Sequence, residues 1–293
     1  MSEVAGRPRG VRGSTRTVGV IGWPVDHSLS PVIHNAAFAA LGLDWVYVPL
    51  AVPPGRVPAA IEGLRALGFA GANVTMPHKS ACVEAIAELS DDARLLGAVN
   101  TIVNGSEAVS GHNTDLEGFD RFLRRDAGFD PAGKSALVFG AGGAARACAL
   151  SLARGGLASL TVAARDPSSA DRLRASLEGS GTVVFTVSFD DAAREVADLV
   201  VNATPLGSGG ELLPLPVLDA KVVAVDLVYR PHVTPLQTAV REAGGSAFGG
   251  LGLLLHQAAL AFELWTGQPA PMSVMSAAAL AELSTLGELE RSP

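Results

Sequence analysis

The chain has 293 residues, 48% of them hydrophobic and 17% charged, with a formal net charge of −7. That length and apolar content suit one large or two medium domains with a sizeable core and exclude global disorder. The acidic balance argues against a nucleic-acid partner, and no apolar run is long enough for a membrane span.

The first 16 residues carry Arg7, Arg9, Arg12 and Arg16 without an apolar core, so they read as a disordered arm rather than a secretory signal. From residue 17 strands and helices alternate. "TVGVIG" (17–22) reads as a strand, 31–41 as a helix, "WVYVPLAV" (45–52) as a strand, 54–67 as a helix, "GANVT" (71–75) as a strand, 77–89 as a helix and "NTIVNG" (100–105) as a short strand. This βαβ rhythm predicts a mainly parallel sheet covered by helices.

A second series begins with "SALVFG" (135–140), whose near-continuous apolar run suits a strand buried on both faces. A glycine loop and helix to about 154 follow, then "SLTVAA" (159–164), a helix near 169–178, "VVFTVS" (183–188), a helix near 190–197, "LVVNAT" (199–204), "KVVAVDLV" (221–228) and a helix near 235–243. The series is Rossmann-like. Ala/Leu-rich helices at 251–267 and 271–286 add no strands and are expected to pack back on the first domain. The expected division is 17–116 plus 252–293 for one domain and 117–251 for the other.

In "FGAGGAARA" (139–147) a strand runs through Gly140, Ala141, Gly142, Gly143 and Ala144 into a helix, with Ala145 where a third glycine often stands. Such a turn brings backbone N–H groups and a helix N-terminus to a pyrophosphate. The second strand ends in Ala164-Arg165-Asp166. An arginine fork there suits a 2′-phosphate and points to NADP over NAD, while the adjacent Asp166 opposes that reading; Ser168 and Ser169 offer further hydroxyls.

The first domain carries a second polar set. Ser30 precedes Pro31 and suits an N-cap, which leaves Ser28 unexplained unless the two hydroxyls cradle a carboxylate. Asn73 and Thr75 stand at the C-terminal end of a strand, where open α/β sheets bind ligands. Lys79 falls in the first turn of the helix expected from Pro77, where the helix dipole would lower its pKa toward acid–base work. Asn100 and Asp115 follow in "GAVNT" and "GHNTD"; Asp115 suits a helix cap or a partner for Lys79. Gln257 is a polar residue in an otherwise apolar helix and needs partners. The six histidines show no metal-binding spacing and no nucleophile elbow is present, so neither a metal nor a serine hydrolase is expected.

Taken in order, "GWPVDHSLSP", "GANVTMPHK", "LGAVNT", "GHNTD", "GAGGAAR", "NATPLG", "DLVYRPHVTPL" and "LGLLLHQAALAFELWTG" resemble the shikimate dehydrogenase family over about residues 17–286. The resemblance implies an α/β enzyme with a discontinuous N-terminal substrate domain and a Rossmann-like NADP-binding domain, reducing 3-dehydroshikimate to shikimate with NADPH. It implies Ser28 and Ser30 as carboxylate ligands, and Thr75, Lys79, Asn100, Asp115 and Gln257 around the ring hydroxyls and reacting oxygen, with Lys79 and Asp115 as the catalytic pair. Tyr229 would touch substrate, Gly140 to Ala144 the pyrophosphate, Thr204 the cofactor, and Leu227 and Gly250 the nicotinamide end. The family often carries a second arginine where Ser169 stands, which weakens the NADP preference. An NAD-dependent quinate/shikimate dehydrogenase and a non-catalytic sensor of the pathway's metabolites are the alternatives. The expected partner is a small-molecule acid, with no nucleic acid and no membrane; a homodimer is left open.

Overall fold

The computed structural model describes residues 10–289. The chain divides into two compact units, Met1–Thr114 with Ala258–Pro293, and Asp115–Gln257. The second boundary falls in the middle of the helix Leu251–Thr266, and the partition assigns Asp115 and Gln257 to the second unit.

In the first unit, β1 (Arg16–Gly22), α1 (Ser30–Ala40), β2 (Trp45–Ala51), α2 (Val57–Ala66) and β3 (Gly71–Val74) form the expected βαβαβ run. β2 and β3 flank β1 in parallel. Then the pattern changes. A short α3 (Ala81–Ala85) leads to β4 (Glu88–Leu89), α4 (Asp91–Leu96), β5 (Thr101–Asn104) and β6 (Val109–His112). The sheet order is β2-β1-β3-β5-β6-β4. β5 runs antiparallel to both β3 and β6 while the other three pairings are parallel, so the sheet is mainly parallel, as the alternation predicts, with one reversed strand. The helix expected over 77–89 is reduced to α3 because Ile86 turns extended (φ −121, ψ 123) and buries itself, with Leu89, in the core below β3. Of the arm expected over 1–16, residues 1–9 lie outside the described residues. Ser14 and Thr15 hydroxyls donate to Asp44, and the Arg16 guanidinium lies 4.3 Å above the Trp45 ring.

In the second unit, α5 (Asp115–Arg125) precedes β7 (Ser135–Phe139), α6 (Gly143–Arg154), β8 (Ser159–Ala163), α7 (Pro167–Ala175), β9 (Val183–Val187), β10 (Leu199–Asn202), β11 (Val223–Asp226), α8 (Pro235–Glu242) and β12 (Ser246–Gly249). The six strands are all parallel in the order β12-β11-β10-β7-β8-β9. This is the doubly wound arrangement, with its switch point between β7 and β10. The helix expected at 190–197 is a single 3₁₀ turn, Asp191–Arg194, after which Val196 extends to bridge Val217. β7 and β10 are buried throughout or nearly so, as their unbroken apolar sequences require.

Two long helices end the chain, α9 (Leu251–Thr266) and α10 (Met272–Leu289), and α10 packs on α1. Within the first unit the far end of α9 is pinned to the sheet: Trp265 Nε1 donates to the Ile102 carbonyl at 2.9 Å. Gly71 makes that approach feasible, since a Cβ there would run into the Ile102 carbonyl and the Trp265 ring. No described helix is long and apolar enough to cross a membrane.

Candidate active site

The polar residues of the first unit gather at the C-terminal ends of β1 and β3. Thr75 N–H donates to the Ile21 carbonyl at 2.8 Å, and a Cβ at Gly22 would stand 2.5 Å from Thr75 Cγ2, so glycine there lets the two strand ends close up. Lys79 lies in the turn ahead of α3, its carbonyl accepting from Val99 N–H at 2.9 Å. Since α3 begins at Ala81 and has only 5 residues, Lys79 is outside its first turn and the dipole argument for that lysine does not hold.

The serine loop also differs from expectation. Ser30 is not the N-cap of α1 but its first residue, and it is buried; Leu29 takes the cap position without a side-chain bond. Ser28 does the local work instead, its Oγ accepting from Ser30 N–H at 3.3 Å.

From Tyr47 a run of buried polar groups continues across the sheet. Tyr47 Oη donates to Asn73 Oδ1 at 2.8 Å. Asn73 Nδ2 donates to the Asn100 carbonyl (3.2 Å) and to Thr101 Oγ1 (3.1 Å). Thr101 Oγ1 donates to Asn100 Oδ1 (2.9 Å), which also accepts from Thr114 N–H (2.8 Å). Every member is 6% exposed or less. Burial raises the Tyr47 phenol well above its ordinary pKa, so it stays protonated. Its ring stacks on His34, centroids 4.5 Å apart and planes 1° from parallel, with Trp265 at 6.1 Å. His34 is fully buried among aromatic rings, and burial lowers its pKa to about 3. Tyr47 and Thr101 escape a reading of the sequence, because an aromatic or threonine inside a strand reads as core.

His78 is buried with Nε2 2.6 Å from the Val52 carbonyl, and His112 Nε2 meets Ser110 Oγ at 3.0 Å, so each has a local role.

In the second unit the glycine turn joins β7 to α6. Gly140 has φ +103, and a Cβ there would stand 3.1 Å from Thr204 Cγ2 and 3.2 Å from the Ala203 carbonyl. Gly142 and Gly143 are different: nothing lies within 4 Å of a Cβ at either position. Packing within the protein does not call for glycine there. A backbone cradle at the N-terminus of a 12-residue helix does, and it fits a pyrophosphate. Ala145, fully buried, packs the helix on the sheet. Thr204 is held by Asn202, whose Oδ1 accepts from both its N–H (3.0 Å) and its hydroxyl (2.7 Å). Asn202 in turn donates to Asp226 Oδ1 at 2.9 Å. Burial raises the Asp226 carboxyl above the usual range. A Cβ at Gly250 would collide with the Leu227 carbonyl, so the loops after β11 and β12 touch there. Tyr229, half-buried, lines a cleft of about 230 Å³ with Phe122, Gln237 and Gly249. Gln257 Nε2 donates to the Leu254 carbonyl of its own helix at 3.0 Å.

At the tip of β8, Arg165 is exposed and lines a cleft of about 500 Å³ with Ala164, Pro167, Ser188 and Phe189. Asp166 is the N-cap of α7: it accepts from Ser168 N–H (3.1 Å) and from the Ser168 and Ser169 hydroxyls (2.9 and 2.5 Å). Those hydroxyls, Ser169 first, hold its carboxyl below the usual range. Arg172, not singled out in the sequence, reaches back over the same turn and donates to Ser169 Oγ at 2.7 Å and Ser168 Oγ at 3.1 Å.

Comparison with known proteins agrees with this architecture. Residues 20–102 match the shikimate dehydrogenase substrate binding domain, and residues 250–280 match the shikimate 5′-dehydrogenase C-terminal domain. A shikimate dehydrogenase (NADP(+)) of Geobacter metallireducens is 43% identical, covering 93% of this chain and 99% of its own. The chain belongs to the shikimate dehydrogenase family. It is thus an oxidoreductase by family. Among solved structures, the shikimate 5-dehydrogenase of Thermus thermophilus in complex with NADP(H) and shikimate is 37% identical with a TM-score of 0.80, covering 91% of this chain and 99% of that one. The quinate dehydrogenase of Corynebacterium glutamicum in complex with NAD is 33% identical with a TM-score of 0.83, covering 91% and 99%.

Proposed function

We propose that this oxidoreductase interconverts 3-dehydroshikimate and shikimate with NADP(H) as cofactor. The observation that carries the reading is the buried polar run from Tyr47 to Asn100 at the strand ends of the first unit, in a chain whose relatives are named for that substrate.

In this reading Ser28 and Ser30 take the substrate carboxylate, and Thr75, Asn100, Gln257 and Tyr229 take the ring hydroxyls. Asn73 orients Asn100 and Thr101, to which both its amide hydrogens go. Gly140 to Ala144 hold the pyrophosphate, Arg165 and Ser169 the 2′-phosphate, and Thr204, Leu227 and Gly250 lie toward the nicotinamide. The nicotinamide supplies the hydride. Lys79 gives a proton to the carbonyl oxygen as negative charge develops on it, and takes the hydroxyl proton in reverse; Asp115 is the second member of the acid–base set.

Asp166 supports NADP over NAD. An NAD site uses a free acid at this strand tip to accept from the ribose 2′-OH. Here both carboxylate oxygens are engaged by the first turn of α7, and Arg165 lines the cleft at the strand tip, with Asp190 on its other side. The test is NADP⁺ reduction by the purified protein with shikimate as the second substrate; no turnover would refute the assignment.

A further inference from the structure

Asp226 ends β11 and is 1% exposed. Every hydrogen bond of its carboxylate comes from a donor. Thr204 N–H can only donate, so it fixes the Asn202 amide with Oδ1 toward it (3.0 Å). Asn202 Nδ2 then faces the Leu206 carbonyl (2.9 Å) and Asp226 Oδ1 (2.9 Å). Val228 N–H donates to the same carboxylate oxygen at 3.0 Å. Thr234 Oγ1 accepts from Gln237 N–H at 3.4 Å and gives its own proton to Asp226 Oδ2 at 2.6 Å. Such a set of donors suits an ionised carboxylate, which only accepts. Among the described residues no arginine, lysine or histidine pairs with it. The second unit thus holds a buried negative charge with no cation against it.

That charge lies on one side of the dinucleotide crevice. Phe139, Asn202 and Asp226 stand in register across β7, β10 and β11. Asp226 is therefore two strand spacings, about 10 Å, from the residue that leads into the glycine turn. The turn takes the pyrophosphate, and the sheet offers a mononucleotide half on either side of it. Arg165, lining the cleft at the tip of β8, marks the half that takes the adenosine. The half made of β10, β11 and β12 is left for the nicotinamide, and Asp226 is on its middle strand. A nicotinamide ring is cationic when oxidised and neutral when it holds the hydride.

We infer that the Asp226 carboxylate biases this site toward the oxidised dinucleotide, by attracting the cationic ring through space without touching it. In carbonyl reduction the hydride passes from the ring to the carbonyl carbon and leaves the ring cationic, a change that a fixed negative charge favours. The inference rests on the reading of this unit as a site for NADP(H).

Titration of the full chain with NADP⁺ and with NADPH, followed by calorimetry, tests it without turnover. Asp226→Asn removes the charge and keeps the shape: its Oδ1 can accept from Asn202 and Val228, and its Nδ2 can donate to Thr234 Oγ1. It should weaken NADP⁺ about fivefold more than NADPH. Thr234→Val takes away one donor and leaves the charge, so it should hold the ratio of the two Kd values within about twofold of wild type. A residue needed only for folding would weaken both dinucleotides by one factor. That pattern, or a ratio moved as far by Thr234→Val as by Asp226→Asn, overturns the inference. If Asp226→Asn does not fold, Asp226→Ser, a second neutral variant with room for a water among the donors, carries the same test. A wild-type protein that binds neither dinucleotide refutes the proposed function as well, whereas binding of both with a ratio that the neutral variant leaves unmoved refutes this inference alone.

Discussion

Thr204 closes over Gly140: a Cβ at Gly140 would stand 3.1 Å from the Thr204 methyl, at a backbone φ of +103 that side chains rarely adopt. Gly140→Ala is therefore expected to push Thr204 and the glycine turn apart, weakening NADP⁺ binding at least tenfold. Strain of this kind costs on the order of 1–3 kcal/mol. Dinucleotide titration and a melting curve check it; unchanged affinity and Tm would show that the turn tolerates a side chain. Gly142→Ala, with open space at its Cβ, should leave Tm within a degree or so while still weakening the dinucleotide.

Arg165 faces the cleft beside β8, and Arg172 reaches the same turn through Ser168 and Ser169. Arg165→Ala should raise KM for NADP⁺ by about 10- to 100-fold, the scale of a charge-assisted pair, and barely change KM for NAD⁺. Arg172→Ala should move the same ratio in the same direction by less. Equal losses with both dinucleotides would show that neither guanidinium reads the 2′-phosphate.

Lys79→Ala should lower kcat by about two to four orders of magnitude, the usual scale of a proton-transferring group, without lowering the melting temperature. Near-wild-type turnover would remove Lys79 from the chemistry.

His34 gives the fold a pH dependence. Its pKa is about 3 in the folded protein against 6.5 in an unfolded chain. The stability that goes with its neutral ring is fully present above pH 6.5 and is lost as pH falls toward about 3, because the unfolded chain takes up a proton the folded one refuses. The slope is about 1.4 kcal/mol per pH unit for one such group. His34→Phe keeps a ring against Tyr47 and should flatten the fall in Tm with acid; parallel curves for the two proteins would contradict this.

Asp226 has the opposite sign. Burial raises its pKa, so the stability it contributes is complete below the ordinary carboxylate value of 3.8 and declines as pH rises through the raised one. It nevertheless accepts from Asn202 Nδ2 (2.9 Å), Val228 N–H (3.0 Å) and the Thr234 hydroxyl (2.6 Å). Asp226→Ala strands these donors and should cost about 3 kcal/mol in urea unfolding. Asp226→Asn keeps two acceptor bonds and removes the charge, and should cost less than half of that.

What was legible in the sequence followed from chemistry that acts locally. β7 and its turn could be read because a fully buried strand has an unbroken apolar sequence and Gly140 marks a positive φ. Arg165 could be placed because it follows that strand pattern by one βα unit. What could not be read depends on contacts between distant segments. β6 is only "VSGH", polar and short, and forms a strand because β5 pairs with it. Ile86 ends α3 because the core below β3 takes it in extended form. The place of the Tyr47 hydroxyl depends on Asn73, from a different strand. Asp166 looked like an NAD signature until its helix-capping bonds were visible.

The most direct measurement is the initial rate of alcohol oxidation by the purified protein with four combinations: shikimate or quinate, each with NADP⁺ or NAD⁺. The account predicts rapid turnover with shikimate and NADP⁺, at least tenfold above shikimate with NAD⁺, and little with quinate. Turnover favouring quinate and NAD⁺ would contradict it and place the protein beside the quinate dehydrogenases it also resembles.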